Sequence, residues 1–219
     1  MSHKFDNLMN ECRRINPDSL TSQDPDRIKS VEDGLLSAPD WRGKKVLILG
    51  AGDGYEVKFS GDQLKWDSVG LVYLPGEYQH NHALFVGDVH NLPFPDKYFD
   101  CVYSKEMLEH SPCPFLALLE INRVLKTGGE FYHLIPWGWD KQRDWYHFSC
   151  FSPEVWCDLH RKAYMTVESV GAKPDTERCT YGNVSYRGRK IADRVLGKSV
   201  EEYKAMLGFT QCKSSEGLQ

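Results

Sequence analysis

An apolar run, Lys45-Val-Leu-Ile-Leu49, leads without a break into Gly50-Ala-Gly-Asp-Gly54. Glycines let a chain turn sharply, and they let a ligand approach backbone that a side chain would otherwise screen. A glycine turn directly after a buried strand is the usual cofactor crevice at the carboxyl ends of a doubly wound sheet. Taken alone, the triplet is equally a tight turn. A nicotinamide dinucleotide would want a further glycine where Tyr55 stands, with an acid about 20 residues on. A phosphate loop would want Lys-Ser or Lys-Thr after the turn, and neither follows. The turn therefore suits a cofactor without a pyrophosphate.

A second cluster of chemistry-bearing residues lies in Pro136-Trp-Gly-Trp-Asp-Lys-Gln-Arg-Asp-Trp-Tyr-His-Phe148. Trp137, Trp139, Trp145 and Tyr146 would form an apolar or sugar-stacking wall for a substrate, with His147 as a base. A packed loop anchored by its tryptophans is the alternative.

These residues need elements to hold them, and strand and helix signals alternate along the chain. Lys45–Leu49, Val69–Leu74, Leu84–Val86, Phe99–Ser104 and Phe131–Ile135 are short apolar runs of the kind buried on both faces of a parallel sheet. Pro114 to Leu125 has helical spacing, and Gly128-Gly129 is expected to stop that helix. Ser152-Pro153-Glu154 is expected to start another, with the serine as cap. The fold class is α/β, a doubly wound, mostly parallel sheet. Residues 1–40 read as an N-terminal helical arm or cap, 41–210 as the domain and 211–219 as a flexible tail.

Composition narrows the partners. With 27 Lys and Arg against 31 Asp and Glu, the net charge is −4, which disfavours a phosphate-tracking surface and so nucleic acid. The one basic segment, Arg187-Gly-Arg-Lys190, reads as a solvated helix start. No apolar run approaches the ~18 residues of a membrane span, and the N-terminus lacks a secretory signal. Seven cysteines, odd in number and never spaced Cys-x-x-Cys, argue against disulfides and a zinc site. A cytoplasmic protein without a metal is the expectation.

Four further motifs occur in order: Gly87-Asp88-Val-His-Asn-Leu-Pro-Phe-Pro-Asp96, Tyr98-Phe-Asp-Cys-Val-Tyr-Ser104, Met107-Leu-Glu-His110 and Glu120-Ile-Asn-Arg-Val-Leu-Lys-Thr-Gly-Gly129. With the glycine turn they closely resemble the small-molecule class I methyltransferases of the methyltransferase type 11 family, over roughly residues 44–135. His147–Gly171 fits the next helix and strand more loosely. The resemblance implies a seven-stranded, Rossmann-like sheet with the last strand antiparallel, S-adenosylmethionine as cofactor and a small-molecule acceptor. It implies that Gly50, Ala51, Gly52, Asp53 and Gly54 line the cofactor. Asp88 would accept from the adenine amino group, Val89 would read the ring edge through its backbone and Leu74 would flank the ring. Ser104 and Lys105 would border the methionine moiety. His110 is a second candidate catalytic residue, although local hydrogen bonds that close its loop rank ahead of that role.

The chain departs from this pattern in two ways. Ile48 stands where the family usually has an acid, and Gly70-Leu-Val-Tyr-Leu-Pro75 lacks the acid that grips the ribose. Losing such a bond weakens binding about ten- to a hundredfold unless Glu77 or Asp53 substitutes. The connection between strands two and three is also too short for the usual crossover helix. Residues 1–40 or the second copy of a homodimer would then cover the bared sheet face. Two readings remain: an active methyltransferase, or a methyltransferase-like binding or assembly protein with weak or no cofactor binding.

Overall fold

The computed structural model describes residues 25–73, 83–137, 147–173, 182–193 and 202. In chain order these form α1 (Pro25–Leu36), β1 (Lys45–Leu49), α2 (Tyr55–Asp62), β2 (Asp67–Val72), β3 (Leu84–Val86) and β4 (Phe99–Lys105). A 3-10 turn (Leu108–His110), α3 (Pro114–Val124), β5 (Leu125–Trp137), α4 (Pro153–Lys162), β6 (Met165–Lys173) and β7 (Gly182–Lys190) complete the order.

The strands make one seven-stranded sheet in the order β3-β2-β1-β4-β5-β7-β6. The first five are parallel, and β7 runs antiparallel between β5 and β6. That is the architecture the resemblance implies. Leu49 lies opposite both Leu71 and Ser104, so β1, β2 and β4 end level. Whatever follows β1 and β4 is thereby brought to one crevice.

Both faces of the sheet are covered because its inner strands are apolar on both sides. One face packs Leu47, Leu49, Val102 and Phe131 against α3 and α4, including the fully enclosed Leu116, Leu119 and Trp156. The other packs Val46, Ile48, Tyr103 and Leu134 against α1 and α2, through Val31, Leu35 and Val57, with the tilted rings of Trp41 and Trp66 in contact in the same cluster. Helix α1 comes so close that a Cβ on Gly34 would lie 2.7 Å from the Tyr103 hydroxyl. Ile48 belongs to this packed face, which is why that position carries no acid. The described part of the arm thus covers β1, β4 and β5, while Val86 on the edge strand β3 is half-exposed. No described helix is long and apolar enough to cross a membrane.

Three local expectations are corrected. Helix α3 ends at Val124, ahead of Gly128-Gly129, because Leu125 already has extended backbone and pairs with Phe99. The glycines serve instead in an irregularity of β5, where Glu130 is the next residue to pair, with Cys101. Gly128 has φ 78° there, and a Cβ on Gly129 would lie 2.9 Å from the Asp100 carbonyl. Arg187–Lys190 is part of β7, not a helix start. The strand's alternation points Arg187 and Arg189 at Glu130 and Glu168, while Lys190 is buried and donates to the Leu125 carbonyl and Asp193. Ser152 precedes α4 as expected, but its side chain makes no capping bond; its hydroxyl bonds the Glu154 carboxylate instead.

Candidate active site

All three glycines of the turn have left-handed backbone, with φ of 74°, 52° and 92° at Gly50, Gly52 and Gly54. An L side chain in that conformation costs about 1–2 kcal/mol, so the turn is written for glycine. The Gly50 and Ala51 amides both donate to the Leu71 carbonyl, at 2.9 and 3.2 Å, which fixes the turn against the end of β2. Two side chains lie over the bare backbone. Met107 Cγ is 2.9 Å from where a Cβ of Gly50 would be, and Arg27 Nη2 is 2.8 Å from that of Gly52. Asp53 turns one oxygen to the Tyr55 amide and the other to Arg27. The Tyr55 hydroxyl donates to Glu32, so α1 is tied to α2 at the rim of the crevice.

Beneath Gly52 sits Glu56, whose Oε2 is buried and has no hydrogen-bond partner among the described residues. Burial pushes its carboxyl up to about 7, with the charges of Arg27 and Lys105 pulling the other way. A carboxyl so placed is ready for a donor that it does not have among the described residues.

Asp88 follows β3 at the same end of the sheet. Its Oδ1 accepts from the His90 amide at 2.9 Å and meets His90 Nδ1 at 2.6 Å. The far nitrogen of His90 lies 2.6 Å from Ser111 Oγ, which also accepts from the Cys113 amide. One arrangement satisfies all three groups: His90 donates from Nδ1 to the carboxylate, and Ser111 donates to Nε2. The order Ser–His–Asp matches a hydrolase relay, but its polarity is reversed. Ser111 is enclosed, while the Asp88 side chain is 48% exposed and its Oδ2 faces no donor among the described residues. The relay aims a carboxylate outward, not a nucleophile.

The loop behind Asp88 is clamped. The fully buried Glu120 accepts from the Leu92 amide and from Arg123, whose guanidinium also donates to the carbonyls of Leu92 and Phe94. This is the work of the Glu120–Arg123 motif: it holds residues 92–96 so that Asp88 and the partly buried Val89 keep their places.

At the end of β4, Ser104 is enclosed and bonds His133, while Lys105 reaches Ser30 of α1 and Glu106. The 3-10 turn then carries Glu109 and His110. A cavity of about 230 Å³ opens there, with Glu109, Trp137, His147 and Phe151 in its wall. The rings of His110 and His147 meet edge to face at 4.7 Å. The two catalytic candidates are thus neighbours, and Trp137 stands beside them, half-exposed. Leu74, Trp139, Trp145 and Tyr146 lie outside the described residues, as do Glu77 and the connection from 74 to 82.

Sequence reasoning missed Arg27, Glu56, His90 and Glu109. His90 and Glu109 stand inside motifs already singled out, within two residues of Asp88 and beside His110, but their partners Ser111 and Ser149 lie in other segments. Arg27 carries no sequence signal.

Comparison with known proteins adds independent support. Residues 49–133 match the methyltransferase domain family. A sarcosine/dimethylglycine N-methyltransferase from Aphanothece halophytica is 33% identical over 106 residues, 43% of this chain and 38% of that protein. A fatty-acid O-methyltransferase from Mycolicibacterium smegmatis is 33% identical over 107 residues, covering 43% and 38%. The matched stretch is thus well under half the length of these curated relatives. Among solved structures, a putative sarcosine dimethylglycine methyltransferase from Galdieria sulphuraria superposes with a TM-score of 0.62 at 17% identity, over 75% of this chain and 84% of that one. At that identity the likeness speaks for the fold.

Proposed function

We propose that this chain, whose residues 49–133 match the methyltransferase domain family, transfers a methyl group from S-adenosylmethionine to a small-molecule nucleophile. The observation that carries the reading is the pairing of two features at one end of the sheet: three left-handed glycines after β1, and an outward carboxylate after β3 steadied by His90. When bound, the cofactor supplies a sulfonium-activated methyl group, so the chain itself needs no nucleophile.

The residues fit that cofactor. Gly50 and Gly52 add no side chain of their own to the crevice, where only the movable Met107 and Arg27 lie over them, and Oδ2 of Asp88 would accept from the adenine amino group. An amino group buried without such an acceptor would cost about 1–3 kcal/mol. Arg27, at Gly52, would meet the methionine carboxylate, and the Oε2 of Glu56 would receive a donor from the amino end. Asp53, already held by Tyr55 and Arg27, would be the nearest acid to the ribose. Met107 would shift from Gly50 as the crevice fills; an unbranched, flexible side chain is suited to that.

On the acceptor side the chain's task is alignment and exclusion of water. The cavity beside His110 and His147 would take the acceptor, with His147 positioned to receive a proton from an oxygen or nitrogen nucleophile. The two named relatives carry N- and O-methyltransferase activities respectively, so kinship leaves the accepting atom open. Thermal unfolding with added S-adenosylmethionine, S-adenosylhomocysteine or NAD tests the reading. The first two should raise the midpoint in proportion to the logarithm of concentration, and NAD should not. No shift with either adenosyl compound at millimolar concentration would leave the binding or assembly reading in its place.

A further inference from the structure

We propose that Glu109, His110 and His147 bind a divalent first-row transition-metal ion at the mouth of the acceptor cavity. One ligating atom from each residue lies within 4.8 Å of the others. Glu109 Oε1 is 3.6 Å from His110 Nε2. Bonds of 2.0–2.2 Å to an ion place tetrahedral ligand atoms roughly 3.3–3.6 Å apart, so small rotations of the two rings complete the set.

The arrangement is built rather than accidental. His147 is 37 positions along the chain from His110, yet the Ser149 amide donates to the Glu109 carbonyl at 3.0 Å and the Ser149 hydroxyl to the Ser111 carbonyl at 2.8 Å. These two bonds staple the His147 segment to the turn that carries the other two ligands. The Glu109 side chain is only 2% exposed although it belongs to a three-residue turn, and a carboxylate withdrawn from water so far is stabilised by a cation beside it.

One carboxylate and two imidazoles form the donor set of borderline ions such as Zn2+, Co2+, Mn2+ or Fe2+, whereas Mg2+ and Ca2+ favour oxygen alone. Three protein ligands leave positions open toward the cavity, as in catalytic sites. The ion's use in the reaction rests on the methyl-transfer reading; its binding does not. An acceptor hydroxyl reaching an open position would lose its proton to water at lower pH than in solution, with His147 then serving as a ligand in place of the base. The oxygen lone pair then forms the bond to the methyl carbon as the carbon–sulfur bond breaks, and that electron pair returns to sulfur to give S-adenosylhomocysteine. The substrate class this implies is a small molecule carrying an ionisable hydroxyl.

The test is a titration of the chelator-treated full chain with Co2+, read by its visible absorption, and with Zn2+ and Mn2+ by calorimetry. We expect one ion per chain, with Glu109→Gln and His147→Ala each weakening it at least about tenfold. His147→Ala should leave S-adenosylhomocysteine affinity within about twofold, which separates loss of the ligand from loss of the fold. Absence of stoichiometric binding, or binding that both variants leave unchanged, overturns the proposal. Metal binding without adenosyl binding would uphold this inference while removing the methyl-transfer reading, and the converse would do the reverse.

Discussion

On one side of the β4 carboxyl end, the glycine turn is a backbone construction: its amides are pinned to Leu71 and its shape is set by three left-handed residues. On the other side, Glu109, His110 and His147 meet only because side chains and loop segments far apart in sequence are stapled together at Ser149. The first kind of site is fixed by short-range chemistry, the turn and the strand that ends in it. The second depends on which loops happen to fold across the sheet end. The two relatives that match part of the chain differ in the acceptor their names give, a fatty acid in one and sarcosine or dimethylglycine in the other.

The comparison can be broken most forcefully from below the cofactor side. Arg123→Ala would leave the fully buried Glu120 without its guanidinium, at a cost of about 3–5 kcal/mol in urea unfolding, and would loosen the loop that steadies Asp88. A loss under about 1 kcal/mol would mean the clamp supports little. Next in size, Gly52→Val combines left-handed strain with displacement of Arg27. It should weaken S-adenosylhomocysteine binding more than about tenfold in calorimetry, with about 1–2 kcal/mol lost from stability. Unchanged affinity would show that the turn is only a turn.

Glu56 sharpens the contrast through pH. Its folded carboxyl titrates near 7 against an ordinary 4.5, so over that window the folded state holds a proton the unfolded chain has released. Stability from this group is therefore full below about 4.5 and declines as pH rises towards 7, by on the order of 1–3 kcal/mol. His160, buried and pushed down to about 4, has the opposite slope between about 4 and 6.5. The difference between wild type and Glu56→Gln isolates the first effect: the variant should lack the decline, and parallel stability curves would contradict the assignment. The smallest effect on the cofactor side belongs to His147→Ala, which should lower turnover at saturating cofactor while cofactor affinity stays within about twofold. Normal turnover would remove His147 from the reaction.

What could be read from sequence follows the same division. The run Lys45–Leu49 is a strand with those limits, because a strand buried on both faces needs a continuous apolar stretch and glycine ends it. Asp88 was legible because its motif is local. Glu109 was not, because the segment that bonds to it through Ser149 arrives from beyond β5. His90 was passed over because its partner Ser111 lies 21 residues away. Arg187–Lys190 misled because basic residues suggest solvent, yet in a strand alternate ones pair with acids and Lys190 turns inward. Gly128-Gly129 misled in the same way: glycine marks a backbone irregularity, and only the pairing of Leu125 with Phe99 shows that it falls within β5.

Calorimetric titration of S-adenosylhomocysteine into the wild-type chain and into Asp88→Ala tests the central claim most directly. The account predicts a single site of micromolar affinity in the wild type, weakened roughly ten- to a hundredfold by the substitution. Equal affinity in the two proteins, or no heat of binding in either at millimolar ligand, would contradict it.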